Sequence, residues 1–330
     1  MDEYRFRPGS ELLGCTRLSP PRPGAELLDV SLGVGATAVC TWLVDADIDV
    51  VAPSLDSGDG HLRPPGQPVT VTQQSADGET INSWSIAGPL DRASYRVLPG
   101  NCLLAVGLGQ SYREAPRRNA VIYDRNCAMI SMGSFGVAVT DVRTTSNGSI
   151  WVAHDLDAEG AHGREGHGLE RFSSDLKLQG RPDDDVGFDP GSLSVLGDDV
   201  VFYDHHHDAP YSSRANSWLS DPPDAFGRIL HDPAQARWGF VRITDCEELE
   251  VTLGWSGYQG EWKAFSEGSI ALPFASPLEQ TRVDCDASSV HVWVGQRWYS
   301  LSLGDLFDDS IKVVSATLPE SSCARSETSQ

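Results

Sequence analysis

Apolar residues along this chain either alternate with polar ones or gather in short runs bounded by Gly, Pro, Asp and Asn. Alternation with a period of two places one face of a strand in a core. A short apolar run between turn residues fits a strand covered on both faces. "ELLDVSLG", "ATAVCTWLV", "CLLAVGLG", "NAVIYDR", "GSIWVAH", "DVVFYDH", "LEVTLGW" and "SVHVWVG" all have this character. Almost no segment carries a helical period, so the expected fold class is all-β.

The strands recur in a rhythm. A moderately polar strand is followed by a tight turn, then a strongly apolar strand, a loop of variable length, and one or two weaker strands. Units start near Leu27, Ala93, Val137, Pro190, Gly239 and Thr281. Their spacing of about 40 to 65 residues is that of propeller blades. A four-stranded blade cannot cover both its faces alone, whereas about six packed around an axis can. The expectation is one β-propeller of about six four-stranded blades over residues 1–318, with 319–330 a disordered tail. The last unit is one strand short, and a terminal strand from "YRFRPGSELL" would complete it and close the ring.

"DVRTTSNGSIWVAHD" (residues 141–155) shows one unit at close range. Residues 137–145 form the innermost strand of the third blade. Asn147-Gly148 supplies the positive φ values of a hairpin turn. Residues 150–154 form the second strand, with Trp151 packed between blades. Loop 155–167 leads to the third and fourth strands in "GLERFSSDLKLQG".

Composition narrows the partners. With 47 acidic against 25 basic residues the formal net charge is −22, which repels nucleic-acid phosphates and anionic lipid. No run approaches the roughly 20 apolar residues of a membrane span, and the opening "MDEYRFRPGSELLG" lacks the pattern of a signal peptide. The seven cysteines are widely spaced, odd in number and without a C-x-x-C pair. They read as buried thiols rather than a disulfide framework or zinc knuckle. The expected location is the cytoplasm, and the expected partner is another protein or a small molecule, with neither nucleic acid nor membrane.

"LPGNCLLAVGLGQSYREAPRRNAVIYDRNCAMISMG", "DVRTTSNGSIWVAHD", "GLERFSSD" and "VHVWVGQRWYSLSL" resemble an actinobacterial family of uncharacterised propeller-like proteins. The resemblance covers roughly residues 68–305 and is strongest in the second and third blades. It implies a propeller fold and a bacterial cytosolic origin, and it transfers no activity and no site. More distantly, the strand-turn-strand pattern resembles virginiamycin B lyase and the gluconolactonase-like propellers.

Candidate sites follow from the blade order. Loops joining second to third strands share a face with the links between blades, and such faces carry function. His154, Asp155, His205 and His207 would stand at neighbouring rims of blades three and four. Imidazole and carboxylate there could hold zinc, although an exposed polar loop that happens to contain histidines is the ordinary explanation. "DLDAEG" (155–160) has the alternating oxygens of a calcium loop but lacks its bidentate Glu. Loops 155–167 and 204–226 are expected to form one interaction surface that includes Asp157, His162, His167, Tyr211, Arg214 and Trp218. A catalytic alternative places Asp141, Asp189, Asp245 and Asp284 near the inner strands of four blades. A carboxylate ring there would bind a divalent cation and polarise a substrate carbonyl. Trp218, Trp238, Trp255, Trp262 and Trp298 read mainly as packing between blades.

No P-loop, dinucleotide glycine pattern or G-x-S-x-G is present. The leading expectation is therefore a scaffold or protein-interaction module. The alternative is a divalent-metal-dependent hydrolase or lyase of lactonase type acting at the axis. A small-molecule sensor without turnover is a third possibility.

Overall fold

The computed structural model describes residues 4–5, 10–11, 15–44, 68–87, 93–108, 118–155, 168–181, 190–204, 209–213, 217–218, 228–232, 237–243, 248–256, 262–271, 281–286 and 288–307. Among them lie six four-stranded antiparallel blades arranged as a propeller, five of them meanders whose spatial order follows the sequence. The chain begins with three short strands, β1 (Tyr4–Arg5), β2 (Ser10–Glu11) and β3 (Thr16–Arg17). Blade one is β4 (Glu26–Gly33), β5 (Thr37–Leu43), β6 (Val69–Gln74) and β7 (Thr80–Ile86). Blade two is β8 (Ala93–Leu98), β9 (Cys102–Gly107), β10 (Ala120–Tyr123) and β11 (Met129–Gly133). Blade three is β12 (Val139–Thr144), β13 (Ile150–His154), β14 (Leu169–Phe172) and β15 (Leu178–Gly180). Blade four is β16 (Pro190–Leu196), β17 (Asp199–Asp204), β18 (Ala209–Ser212) and β19 (Ser217–Trp218). Blade five is β20 (Arg228–Asp232), β21 (Arg237–Ile243), β22 (Glu248–Ser256) and β23 (Trp262–Ala271). Blade six is β24 (Thr281–Cys285), β25 (Ser289–Val294) and β26 (Arg297–Ser302), followed by the short helix α1 (Leu303–Phe307).

The core is divided among the interfaces between blades. Six apolar clusters each span one pair of neighbours. Trp84 of blade one meets Tyr95 of blade two. Trp151 of blade three lies with Phe202 and Tyr211 of blade four, as its place in a strongly apolar second strand predicts. Trp42 packs with Trp293 and Trp298 across blades six and one. Every residue of β5 is buried, because both faces of a second strand meet a neighbouring blade. That is why these strands read as apolar runs rather than alternations.

The ring closes with a terminal strand, but not the segment expected. β3 pairs with β26 and completes blade six. β1 and β2, which fall within "YRFRPGSELL", instead pair in parallel with β23 on the outer edge of blade five. Leu18, just after β3, is fully buried in the tryptophan cluster. Two further expectations are corrected. Blade five begins at Arg228 rather than near Gly239, which lies in its second strand. The segment 204–226 is not one loop, because β18 and β19 run through it.

One turn recurs. Residues 75–79, 124–128, 145–149 and 173–177 are each closed by a backbone bond from the first residue to the carbonyl of the fifth. In each the fourth residue takes a left-handed conformation: Gly78, Cys127, Gly148 and Leu176. At 145–149 only Gly148 does so, while the Asn147 side chain accepts from the Ser149 amide at 2.9 Å. Cys127 and Leu176 accept a backbone strain that glycine avoids, and each touches the preceding blade. Cys127 Sγ accepts from the Ser85 amide, and Leu176 lies against Gly133.

Candidate functional site

The inner strands β4, β8, β12, β16, β20 and β24 contact one another in sequence around the axis. Their inner edges converge, so long polar side chains from different blades reach one another. Five charged side chains do so: Arg96 on β8, Asp141 and Arg143 on β12, Arg228 on β20 and Asp284 on β24.

Arg143 is the centre of this cluster. Its Nη1 donates to Asp284 Oδ2 at 2.5 Å, and its Nε and Nη2 donate to Asp141 Oδ2 at 3.2 and 3.1 Å. Arg228 Nη1 lies 3.4 Å from Asp141 Oδ2 and 3.3 Å from Asp284 Oδ1, bridging the two carboxylates. Arg96 Nη2 lies 3.6 Å from Asp141 Oδ1, while its Nε donates to Val142 O at 2.6 Å. Blades one and four join through backbone amides: Leu32 N donates to Asp284 Oδ2 at 3.3 Å, and Leu193 N donates to Asp141 Oδ2 at 3.1 Å. Each carboxylate also accepts from the next residue's amide, Val142 or Cys285, at 2.8 Å. All six blades therefore contribute at least one group to a single network.

Except for the partly exposed Arg228, these side chains are buried; pairing offsets the desolvation for Asp141, Asp284 and Arg143, whereas at Arg96 burial and the like charge of Arg143 prevail and lower its pKa. Burial raises the pKa of Asp141 and of Asp284, but the surrounding arginines outweigh it and hold both carboxyls below their ordinary range. Burial likewise lowers Arg143, and its two aspartates more than compensate, so its guanidinium binds its proton more tightly than usual. Among the described residues three guanidinium groups face these two carboxylates, and Asp29 on β4 adds a further negative charge that acts on Arg96.

This geometry answers the carboxylate-ring expectation for the residues it reaches. Asp141 and Asp284 do meet at the axis, as their inner-strand positions predict. Every oxygen they present is already engaged by a guanidinium or an amide, and a divalent cation there would face three arginines. The donor set does not fit calcium or zinc. Asp189 and Asp245 lie outside the described residues. Sequence reasoning missed Arg96, Arg143 and Arg228. The one local signal was the Asp141-Val142-Arg143 spacing, which sets two charged side chains on one side of a strand.

At the rim of blade three, His154 is buried at the end of β13. Its Nδ1 donates to Val137 O at 2.9 Å, and its Nε2 lies 3.5 Å from Glu170 Oε2 on β14. The other oxygen of Glu170 accepts from Arg181 Nε and Nη2 at 3.0 and 2.9 Å. Burial raises the Glu170 carboxyl, but His154 and Arg181 draw it below its ordinary value. One nitrogen of His154 is thus committed to the backbone. Asp155 donates its amide to Ala138 O. No group of three or more His, Cys, Asp or Glu residues arranged for a metal occurs among the described residues. His205 and His207 lie outside them, as do Asp157, His162, His167 and Arg214. Tyr211, expected on an interaction surface, is instead buried against Phe202 in the core between blades three and four. Trp218 pairs through its backbone with Tyr211 in β19. Trp238 and Trp298 pack between blades as expected.

A second polar relay, also missed, lies in blade six. Trp298 Nε1 donates to His291 Nδ1 at 3.2 Å, and His291 Nε2 faces Asp286 Oδ2 at 3.3 Å. The acceptor role of Nδ1 places the proton of a neutral ring on Nε2, directed at the carboxylate.

No protein-family model matches this chain, so the actinobacterial resemblance gains no support there, and no curated protein matches it. Solved structures similar to it include the periplasmic gluconolactonase PpgL of Pseudomonas aeruginosa, at 11% identity and a TM-score of 0.42 over 70% of this chain and 73% of that one. A protein of unknown function from Bacteroides caccae is 10% identical, with a TM-score of 0.38 over 76% and 89%. The WD40 domain of SCAP from fission yeast is 9% identical, with a TM-score of 0.38 over 87% and 76%. At these values none of them informs the activity of this chain.

Proposed function

We propose that this protein is a cytoplasmic propeller scaffold that binds another protein, and that its axis is a structural pin rather than a catalytic centre. The observation that carries this reading is the pairing of Asp141 and Asp284 with Arg143, Arg228 and Arg96. A lactonase-type centre needs inner-strand carboxylates with oxygens open to a cation, and here the arginines take that role. The free thiols at Cys15, Cys40, Cys102, Cys127 and Cys285 support a reducing compartment.

A melting curve recorded with chelator, and then with added calcium or zinc, tests the reading. A cation bound only to the folded state would raise the melting temperature by mass action. The scaffold reading expects superimposable curves and no hydrolysis of an aldonolactone by the purified protein. A saturable rise with either metal, accompanied by lactone hydrolysis that chelator abolishes, would restore the hydrolase.

A further inference from the structure

Among the described residues, five large apolar side chains stand exposed: Ile81, Met129, Ile130, Met132 and Leu178. All five lie on the outermost strands of three consecutive blades, β7, β11 and β15. Blade two carries three of them, with Met129 and Ile130 each 57% exposed. The chain has only three methionines, and two are here. Methionine suits adaptable docking surfaces because its side chain is flexible and polarisable. The rims of these blades touch, through Cys127 on Ser85 and Leu176 on Gly133.

β11 is also a free edge. No strand pairs with its outer side among the described residues, and the register shift opposite Ile122 and Tyr123 leaves Ile130 without a partner across the ladder. Blade five differs: the outer edge of β23 is taken by the chain's own β1 and β2. A blade edge of this molecule therefore accepts an added strand. Natural edges are protected by charge, proline or a bulge; "MISMG" carries no charge and no proline, and its one irregularity is the bulge at Ile130.

The charges at the two ends of β11 identify the occupant. Arg125 sits in the turn that leads into β11. Arg118 precedes β10 next to the other end of β11, with its Nη1 3.8 Å from Met132 Sδ. Both are exposed, and among the described residues neither pairs with a carboxylate. In a chain of net charge −22 two exposed arginines flank this apolar strand, while the Asp124 carboxylate in the same turn is held by the amides of Asn126 and Ala128. A second copy is a poor fit, because two-fold antiparallel pairing of β11 would set Arg125 of one copy against Arg118 of the other. We propose that β11 is a strand-addition site for an extended segment of a partner protein, apolar at its centre and carboxylate-bearing at its ends. Backbone pairing would supply affinity, the methionine surface adaptable contact, and the two arginines orientation and selectivity. The inference rests on the scaffold reading and gives that scaffold its docking surface. The metal test bears on the axis and the test below on the rim, so each can fail without the other.

The probe is a fluorescent peptide, Glu-Glu-Val-Thr-Val-Thr-Val-Glu-Glu, titrated against the full chain by anisotropy, beside the same peptide with lysines for glutamates. The expected result is micromolar binding of the acidic peptide only. Met129→Glu/Met132→Glu should weaken it about tenfold or more, and so should the milder Met129→Ser/Met132→Ser to a smaller degree. Arg118→Glu/Arg125→Glu should transfer binding to the lysine peptide. Circular dichroism of each variant separates lost binding from lost folding. No binding up to about 1 mM, or equal binding of both peptides, overturns the proposal. So does a concentration-dependent dimer in sedimentation that Met129→Glu abolishes, which would assign the edge to a second copy.

Discussion

At the axis, charged side chains from three blades are buried, while on the outer strands of blades one to three methionine, isoleucine and leucine stand in solvent. The contrast follows from the geometry of a ring. Inner strands converge, so Arg143 of blade three reaches Asp284 of blade six and each charge finds a partner without leaving the interior. Outer strands diverge, and the last strand of a blade has no neighbour on its outer side unless the chain supplies one, as β1 and β2 do for blade five. Burial therefore follows access to partners more closely than residue type. A single charge removed at the axis should disturb the whole ring, whereas a charge added at the rim should be felt locally.

The largest expected effect is at the axis. Asp284→Ala would leave Arg143 and Arg228 facing one carboxylate instead of two, in a site with little access to water. Breaking a buried pair by removing one partner costs about 3–5 kcal/mol, to be read as a lower urea midpoint. Asp284→Asn keeps the shape and part of the hydrogen bonding and should cost less. Equal midpoints for wild type and Asp284→Ala would show that the network contributes nothing to stability, and the contrast between axis and rim would collapse.

Ring closure comes next. Leu18 follows a two-residue strand, yet it is fully buried with Trp42, Trp293 and Trp298 at the join between the two ends of the ring. Leu18→Ala should cost about 2–5 kcal/mol, the range for a truncated core leucine. A loss below about 0.5 kcal/mol, typical of surface substitutions, would mean that the amino-terminal strand does not lock the ring.

These two sites also mark the limits of reading the sequence. Second strands such as β5 and β13 were legible because burial on both faces leaves an apolar run. β3 was not, since two residues are too few to display a period, and "YRFRPGSELL" offered a stronger pattern beside it. "RILHD" is short and polar at both ends, so the sequence pattern puts the start of blade five at the more apolar β21. The inner-strand positions of Asp141 and Asp284 were legible from strand order. Their arginines were not, because Arg96 and Asp141, or Arg143 and Asp284, stand in different blades and no local spacing links them.

Acid should test two sites in succession, His231 beside Trp238 and then the charged network at the axis. His231 stacks on Trp238 with ring centroids 3.6 Å apart. Burial pulls its pKa down to about 4, with Asp232 opposing. The unfolded chain then binds more protons between about pH 6.5 and 4. His231 thus contributes stability that is present above pH 6.5 and lost as pH falls toward 4. Asp141 and Asp284 are also depressed, held by their arginines against burial. Their contribution is intact above the ordinary aspartate value of about 3.9 and is lost only as pH falls below it. Urea midpoints against pH should show both steps, and His231→Phe should flatten the first alone. A His231→Phe curve parallel to wild type from pH 7 to 4 would remove the first assignment.

The smallest expected effect is at the rim, and it sharpens the comparison by its size. Met129 and Ile130 are 57% exposed on a strand with no neighbour beyond it among the described residues. Truncating Met129 removes little apolar surface that folding had withdrawn from water, so little transfer free energy is lost. Met129→Ser should change stability by no more than about 0.5 kcal/mol, within the usual range for surface positions. Val152 gives the matched control. It is fully buried one blade away, between blades two and three, and Val152→Ala leaves a cavity that costs about 1–3 kcal/mol. Both changes remove apolar atoms from strands of neighbouring blades, so their midpoints measure the gradient from interior to rim directly. If Met129→Ser proved as damaging as Val152→Ala, then Met129 would be covered in solution. A dilution-dependent wild-type midpoint would then assign the cover to a second copy.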